Sequence, residues 1–278
     1  MGFLANVLGI SLIYAAWGVA SGLLVGSLRM LTLGTAVIAG TAAYTFAQAG
    51  SEPAAWAGAL TFGAAAGMAM TLVALRAREH DFALATFALV LAWQSFVASA
   101  NPLTGGAFGV SSAVALPAPW GMDPSIAFAA CAVLLFLVSL LLALVERRRR
   151  VGIAAAMTGR SQEFARSLGV PVTALLLAYG ASTGAVFGLG AGLLAAYIGY
   201  VGPTLLTIST SVLVLALGLA WTAGPRLFAV AVVATVALPE LLRVVGSSSV
   251  DSAALRVTLS GAALLFLGLT TSRRWGIR

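Results

Sequence analysis

Charged side chains are scarce in this sequence of 278 residues. Only 8% of the residues are charged and 61% are apolar, whereas a soluble domain carries about 25% charged residues. So few charges do not cover a water-facing surface of this size. The composition therefore excludes a soluble globular domain and indicates a protein whose main solvent is lipid.

Cysteine, histidine and lysine are almost or wholly missing. The chain has one cysteine, Cys131, one histidine, His80, and no lysine. A single cysteine forms no disulfide within the chain, and together with one histidine it provides no metal cluster. Cys131 is interpreted as a packing residue, and His80 as a solvated loop residue. An intramembrane enzyme, which needs a catalytic dyad or a metal set, has no candidate residues here.

Acidic residues are also missing from the middle of the long apolar segments. Glu240, the one acid inside a segment, is near its outer end and three residues before Arg243, so a local ion pair is expected. The others fall in loops or at segment ends: Glu52, Glu79, Asp81, Asp123, Glu146, Glu163 and Asp251. A carrier driven by protons or sodium usually needs ionisable groups within its spans. Uphill transport by this chain would therefore take its energy from a partner.

What the sequence has in abundance is long apolar runs. A spanning helix needs roughly 20 such residues, and nine segments qualify: 3–26, 30–49, 54–75, 82–100, 125–145, 171–199, 204–222, 225–242 and 252–271. The runs are too long for barrel strands and lack their alternation. The sequence predicts an all-α transmembrane bundle of about nine spans. Eight or ten stay open, since glycine-rich 171–199 could break.

The basic residues indicate the topology. All fifteen are arginine. With the N-terminus outside, two are external, Arg243 and Arg256. The rest are internal: Arg29, Arg76, Arg78, Arg147, Arg148, Arg149, Arg150, Arg160, Arg166, Arg226, Arg273, Arg274 and Arg278. This bias follows the positive-inside rule and does not suggest nucleic acid. It predicts a cytoplasmic C-terminus and one domain over 1–278, with an external loop at 101–124 and a cytoplasmic loop at 146–170.

The cytoplasmic loop is predicted to hold a helix of about two turns outside the membrane. Ser161 can cap its N-terminus, and Glu163 suits the dipole of the first turn. Gly169 can end it in the left-handed conformation. An apolar stripe is expected from Ile153, Met157, Phe164 and Leu168. Such a helix can dock into a groove of another protein or lie on the bilayer, and spacing alone leaves both open.

At this loop the sequence resembles a known family. Residues 163–169, EFARSLG, resemble the EAA-x-x-x-G coupling motif of ABC importer permeases, with Phe164 replacing the middle alanine. Residues 152–160, GIAAAMTGR, resemble the approach to that motif in the branched-chain amino acid (LivM-like) permeases. Further ordered matches are 26–34 (GSLRMLTLG), 81–87 (DFALATF), 103–110 (LTGGAFGV), 178–184 (AYGASTG), 224–225 (GP) and 238–243 (LPELLR).

The resemblance implies a transport subunit in the plasma membrane of a bacterium, with no catalytic role of its own. It implies a second, similar permease, two cytoplasmic ATPase subunits and an extracytoplasmic solute-binding protein as partners. ATP and magnesium would bind to the ATPases, so no cofactor is expected in this chain. The coupling helix would use Ser161, Glu163, Phe164, Ala165, Leu168 and Gly169. The external loop would use Thr104, Gly105, Gly106 and Gly109.

The departures from the family concern the solute. Where the family segment has Gly, Gln and His, this chain has Arg29, Met30 and Thr35. The candidate pathway residues are then small and neutral: Thr32, Thr35, Thr86, Gln94, Ser182 and Thr183. Each can instead serve helix packing or bond the backbone. Amino acids, amides and organic acids all remain possible solutes, and a stand-alone channel or secondary carrier is the alternative function.

Overall fold

The computed structural model describes residues 2–76, 79–112, 114–116, 123–148 and 150–237, together with 258, 261 and 262. Over these ranges the chain is almost entirely helical. The helices are α1 Gly2–Leu28, α2 Thr35–Gln48, α3 Glu52–Val73, α4 Glu79–Ser99, α5 Asn101–Thr104, α6 Pro124–Arg148, α7 Arg150–Arg160, α8 Gln162–Ser167, α9 Val172–Ile198, α10 Ile208–Ala223 and α11 Pro225–Val232. A 3-10 turn, Gly106–Phe108, and a π turn, Val233–Ala237, complete the helical elements.

Five of these helices are long and apolar enough to cross a membrane, namely α1, α3, α4, α6 and α9. They match five of the predicted spans, and α9 is one unbroken helix of 27 residues. The expected spans at 30–49 and 204–222 contain shorter helices, α2 and α10, because each begins with a non-helical stretch. The last predicted span, 252–271, lies outside the described residues apart from three positions, as do the Glu240–Arg243 pair and the side chain of His80.

The two ends of the bundle differ in composition. One end, here called the arginine end, carries α7, α8 and the last turn of α6. The described arginines all lie there: Arg29, Arg76, Arg147, Arg148, Arg150, Arg160, Arg166 and Arg226. The other end, the hairpin end, carries α5 and a two-stranded antiparallel ribbon of β1 Val110–Ser111 and β2 Tyr200–Val201. The predicted loops therefore lie at opposite ends of the bundle.

The core is formed by α1, α2, α9 and α10. Helix α1 is apolar on all sides, the pattern of a helix surrounded by others, and most of its residues are buried. Trp17 and Phe187 are fully buried and meet edge to face between α1 and α9. Helices α3, α4 and α6 bury much less of their surface. Their exposed apolar faces are those expected of helices in contact with lipid.

Close backbone packing joins α3 to α9. A Cβ atom on Gly67 would lie 2.9 Å from the Cα of Gly184, and one on Gly63 would lie 2.6 Å from the Gly184 carbonyl oxygen. These separations leave room only for glycine at both helices. Small residues at such crossings let helices approach closely where lipid gives little hydrophobic driving force.

The two halves of the chain repeat one arrangement in opposite directions. Helices α1 and α9 each have 27 residues, and a left-handed residue follows each, Arg29 (φ 54°) and Gly199 (φ 72°). A non-helical segment then leads to a short helix, α2 or α10. Helix α1 ends at the arginine end, whereas α9 begins there, so the two short helices also run in opposite directions. Opposed repeats of this kind are common in transporters.

Candidate functional site

Helix α8 forms as its sequence predicts. The Ser161 hydroxyl accepts a hydrogen bond of 3.2 Å from the Phe164 backbone N–H, and Glu163 lies in the first turn. Gly169 is left-handed at φ 79°. The cap, the acidic first turn and the left-handed stop are thus all present, and they fix a short helix between α7 and α9.

The two faces of α8 have different surroundings. Ala165 is fully buried against the bundle, and the Gln162 side-chain amide donates a 3.1 Å hydrogen bond to the Ala74 carbonyl at the end of α3. On the outer side, Phe164 is 56% exposed and Leu168 is 55% exposed. Helix α8 is therefore attached to the spans by one face and presents two large apolar side chains on the other.

Helix α7 lies directly on the end of α1. A Cβ atom on Gly159 would lie 2.8 Å from the carbonyl carbon of Leu28. The predicted stripe is only partly continuous, because Ile153 is exposed whereas Met157 is half-buried. Together α7 and α8 contact the ends of α1 and α3. A movement of α7 and α8 would therefore be transmitted to both α1 and α3.

Four of the six predicted pathway residues are buried inside this chain: Thr32, Thr35, Thr86 and Thr183. Gln94 and Ser182 are half-buried. The hydroxyls of Ser182 and Thr183 both donate to the Tyr179 carbonyl one turn earlier in α9, at 3.1 and 2.7 Å. The structure gives the α9 pair a backbone-bonding role and does not bring it together with the other four.

Thr32, Thr86 and one residue that the sequence did not reveal support the start of α2. The chain leaves α1 at Arg29, and the backbone N–H groups near the start of α2 then need acceptors inside an apolar bundle. The Leu33 N–H donates to the Thr86 hydroxyl at 3.1 Å, and the Gly34 N–H donates to the Thr32 hydroxyl at 3.1 Å. The Ala36 N–H donates to the hydroxyl of Ser211, in α10, at 3.0 Å. Side chains from α4, from α10 and from the segment before α2 thus replace the missing helical bonds.

Removal of the Thr86 hydroxyl should destabilise this segment. We expect Thr86→Val to lower the free energy of unfolding by about 0.5–1.5 kcal/mol, the usual contribution of one hydrogen bond, since the partly buried Leu33 N–H then loses its acceptor. Thr86→Ser, which keeps the hydroxyl, should stay near the wild type. Thermal melting of the detergent-purified variants measures the difference, and equal melting of the Val and Ser variants would contradict this role.

Four buried hydroxyls have no hydrogen-bond partner among the described residues, and those of Ser11 and Ser21 lie in α1. The other two lie in α2. They belong to Thr35, at the first turn of α2, and Tyr44, further along the same helix. Tyr44 lines a narrow cavity with Gln94 and Trp93. Gln94 was predicted for the pathway, whereas Tyr44 was not singled out, since tyrosines in apolar segments are common packing residues. The cavity, about 10 Å³, has room for no more than about one water molecule beside this hydroxyl and this amide.

The predicted external-loop residues form a compact turn at the hairpin end. The Thr104 hydroxyl donates to the Val97 carbonyl at 2.6 Å. Gly105, Gly106 and Gly109 all have positive φ values, between 58° and 67°, which glycine adopts without strain. The Tyr200 hydroxyl donates to the Phe108 carbonyl at 2.8 Å and joins this turn to the ribbon. Residues 104–109 are therefore held against the ribbon at the hairpin end.

The family described as "Branched-chain amino acid transport system / permease component" matches residues 3–268 of the chain. No curated protein and no solved structure matches it significantly.

Proposed function

The chain belongs to the family of branched-chain amino acid transport permeases, and we propose that it forms one half of the translocation pathway of a bacterial ATP-driven importer. It is a multi-pass membrane protein, and the membrane is the plasma membrane in this proposal. The second half is a similar permease. Two cytoplasmic ATPase subunits supply the energy, and an extracytoplasmic binding protein delivers a small solute, an amino acid or a related amide or organic acid.

The proposal rests on the different surroundings of the two faces of α8. A helix that only lay on a bilayer would need its apolar side chains to face lipid. Helix α8 instead contacts its own spans through Ala165 and Gln162. Its large apolar side chains, Phe164 and Leu168, point away from those spans. Short amphipathic helices of this kind fit grooves on partner proteins. The groove proposed here belongs to an ATPase subunit, and α8 is the coupling helix.

The charge distribution supports the orientation. The described arginines all lie at the arginine end, as expected of a cytoplasmic face. The hairpin end, with its fixed glycine-rich loop, then faces outward and receives the binding protein. ATP and magnesium bind to the ATPase partners in this proposal, and this chain holds no cofactor.

The mechanism follows from what α7 and α8 contact. Closure of the ATPase subunits moves α8. The Gln162–Ala74 hydrogen bond passes that movement to α3, and the contact of Gly159 with Leu28 passes it to α1. The spans then exchange access between the two faces. The predicted pathway threonines are buried within the chain: Thr32, Thr35, Thr86 and Thr183. A pathway between two permeases would therefore be lined by less buried groups such as Gln94 and Ser182.

Solute uptake by the purified complex in liposomes tests this proposal against a stand-alone carrier. Uptake should require ATP on the side of the ATPase subunits and should stop with a non-hydrolysable analogue. A carrier or channel would move solute without ATP, and that outcome would overturn the proposal.

Gln162 should matter for coupling rather than for assembly. We expect Gln162→Leu to keep the ATPase subunits bound and ATP hydrolysis running, while the solute moved per ATP falls several-fold, because α8 no longer bonds to α3. Ser167→Ala is the control, since the Ser167 hydroxyl bonds only within α8 to the Phe164 carbonyl. Parallel assays of uptake and phosphate release give the ratio. A wild-type ratio for Gln162→Leu would contradict the coupling path.

A further inference from the structure

A cavity of about 500 Å³ opens at the arginine end between α1, α6, α7 and α10. Its lining comes from the last two turns of α1, from the ends of α6 and α10, and from α7. The volume lies within the range of small-molecule sites, about 300–1,000 Å³. Because three of its walls are the ends of helices in the bundle, the cavity lies at the depth where lipid headgroups meet water.

Most of the lining can be reached from outside the bundle. Of the residues around the cavity, only Gly22 and Leu23 are buried. Four are exposed, namely Gly26, Arg147, Ile153 and Ala156, and five are half-buried, namely Ser27, Glu146, Gly152, Trp221 and Thr222. A ligand there would find accessible surface of both polar and apolar character.

Arg147 is the positive group of the lining, and its orientation is fixed. The guanidinium lies over the Trp221 ring, 5.5 Å from the ring centroid. Trp221 in turn meets Phe228 edge to face, with the centroids 5.2 Å apart. Stacking on a ring holds the plane of a guanidinium and leaves the N–H groups at its edge free to bond, in a geometry that matches phosphate oxygens. Since Arg147 is also exposed, these donors can be reached by a phosphate.

Glu146 is the negative group of the lining. One of its carboxylate oxygens accepts the 2.7 Å hydrogen bond from the Tyr179 hydroxyl, which lies outside the lining. Its second oxygen can accept a hydrogen bond from a hydroxyl group of a ligand. Two further arginines, Arg148 and Arg150, are exposed within three residues of Arg147, so positive charge exceeds negative charge here. The charges therefore favour an anion that also carries hydroxyl groups.

The outer face of α6 leads to the same arginines. Four leucines on this face are each more than half exposed: Leu134, Leu137, Leu141 and Leu144. Their spacing of three or four residues places them in one row along the helix, and Arg147 and Arg148 continue the row at its next turn. Exposed leucines of a spanning helix are in contact with lipid tails. A lipid whose tail lies along this row would bring its headgroup to Arg147.

We propose that this cavity binds the headgroup of an anionic phospholipid of the phosphatidylglycerol type. The phosphate is bound by Arg147, a headgroup hydroxyl donates to Glu146, and an acyl chain lies along the leucine row of α6. Basic pockets between spans on the cytoplasmic side are suited to anionic headgroups. The bound lipid joins α7 to the ends of α1 and α6, and so stabilises the position of α7 and of α8 after it. That consequence for coupling rests on the proposed function, whereas binding itself does not.

Titration of the purified full-length chain with phosphatidylglycerol in detergent, followed by native mass spectrometry, tests the site. We expect retention of phosphatidylglycerol in preference to phosphatidylethanolamine. Arg147→Gln should raise the Kd for phosphatidylglycerol about tenfold, the usual effect of losing a hydrogen bond to a charged group. Arg166→Gln is the matched control, because Arg166 is also exposed at the arginine end but lies outside the cavity. It should bind phosphatidylglycerol like the wild type.

Ala156→Phe separates the cavity from a general attraction between the arginines and an anionic membrane surface. Ala156 is exposed in the lining, so phenylalanine would occupy the space of the headgroup while every charge remains. Phosphatidylglycerol binding should weaken by about tenfold or more, whereas the melting temperature in lipid-free detergent should stay near that of the wild type.

Three outcomes would overturn the proposal. The first is unchanged phosphatidylglycerol binding in Arg147→Gln or in Ala156→Phe. The second is equal retention of phosphatidylethanolamine, which would remove the preference for an anionic headgroup. The third is displacement of the lipid by an equal concentration of glycerol 3-phosphate, which would indicate a site for a free phosphate. The ATP requirement of solute uptake, measured separately, tests the proposed function and does not depend on the cavity.

Discussion

Phe164→Asp should abolish both transport and recovery of the ATPase subunits, while the chain still inserts and folds. Phe164 is more than half exposed on the outer face of α8, so the substitution disturbs little of the internal packing. In the docked state the same side chain would be buried in the partner groove. An aspartate there would be a charge removed from water without a counter-ion, which is strongly unfavourable.

The matched control is Phe108→Asp. Phe108 is 89% exposed at the hairpin end, one length of α9 away from α8. The same change in chemistry there should leave ATPase recovery at the wild-type level. Affinity purification from membranes, followed by quantification of each subunit, gives the comparison. Recovery of an intact complex with Phe164→Asp would contradict the coupling role of α8.

Gly184→Leu should prevent the bundle from folding. The Cβ of a residue at this position would lie 3.0 Å from the Cα of Gly67, so even the first side-chain atom forces α3 and α9 apart. Overpacking of this kind costs about 1–3 kcal/mol or more, and here the contact is backbone to backbone, so no side-chain rotation relieves it. We expect loss of a monodisperse peak in detergent and a large fall in the amount of protein in the membrane.

Gly58→Leu provides the comparison for that prediction. Gly58 also lies in α3, but it faces Thr45 of α2. A Cβ atom there would meet nothing closer than 3.9 Å. This variant should be purified in near wild-type amounts, since leucine favours helix over glycine. Near wild-type amounts of Gly184→Leu would show that α3 and α9 tolerate separation and would contradict the close packing. Equal losses for both variants would show that the loss does not depend on the contact at Gly184.

Much of the bundle could be predicted because its signals are local. Residues 161–169 define α8 by a serine cap, an acidic first turn and a glycine stop, and all three act within a few residues. The long spans follow from length and composition alone. The family resemblance rested on similar short segments and agrees with the match over residues 3–268.

The break before α2 could not be predicted, because its cause is distant in sequence. Segment 30–49 is an apolar run like the neighbouring spans, yet its first residues are not helical. Their donors are satisfied by Thr86, 53 residues from Leu33, and by Ser211, 175 residues from Ala36. No pattern within the segment encodes these partners.

The contacts of Glu146 and Gln162 were also not predicted, because both residues were placed at or beyond the end of a span. Glu146 was placed at the end of a span, but α6 extends past it and its carboxylate accepts a 2.7 Å hydrogen bond from the Tyr179 hydroxyl. Gln162 had no assigned role, although its bond to Ala74 attaches α8 to α3. Both contacts join elements that are adjacent only in the folded chain.

The most direct test of the central claim is mass spectrometry of the proteins that co-purify in mild detergent with a tagged copy from its native host. The account predicts recovery of a second permease together with one or two ATPase subunits. Recovery of this chain alone, folded and able to move solute into liposomes without ATP, would contradict it.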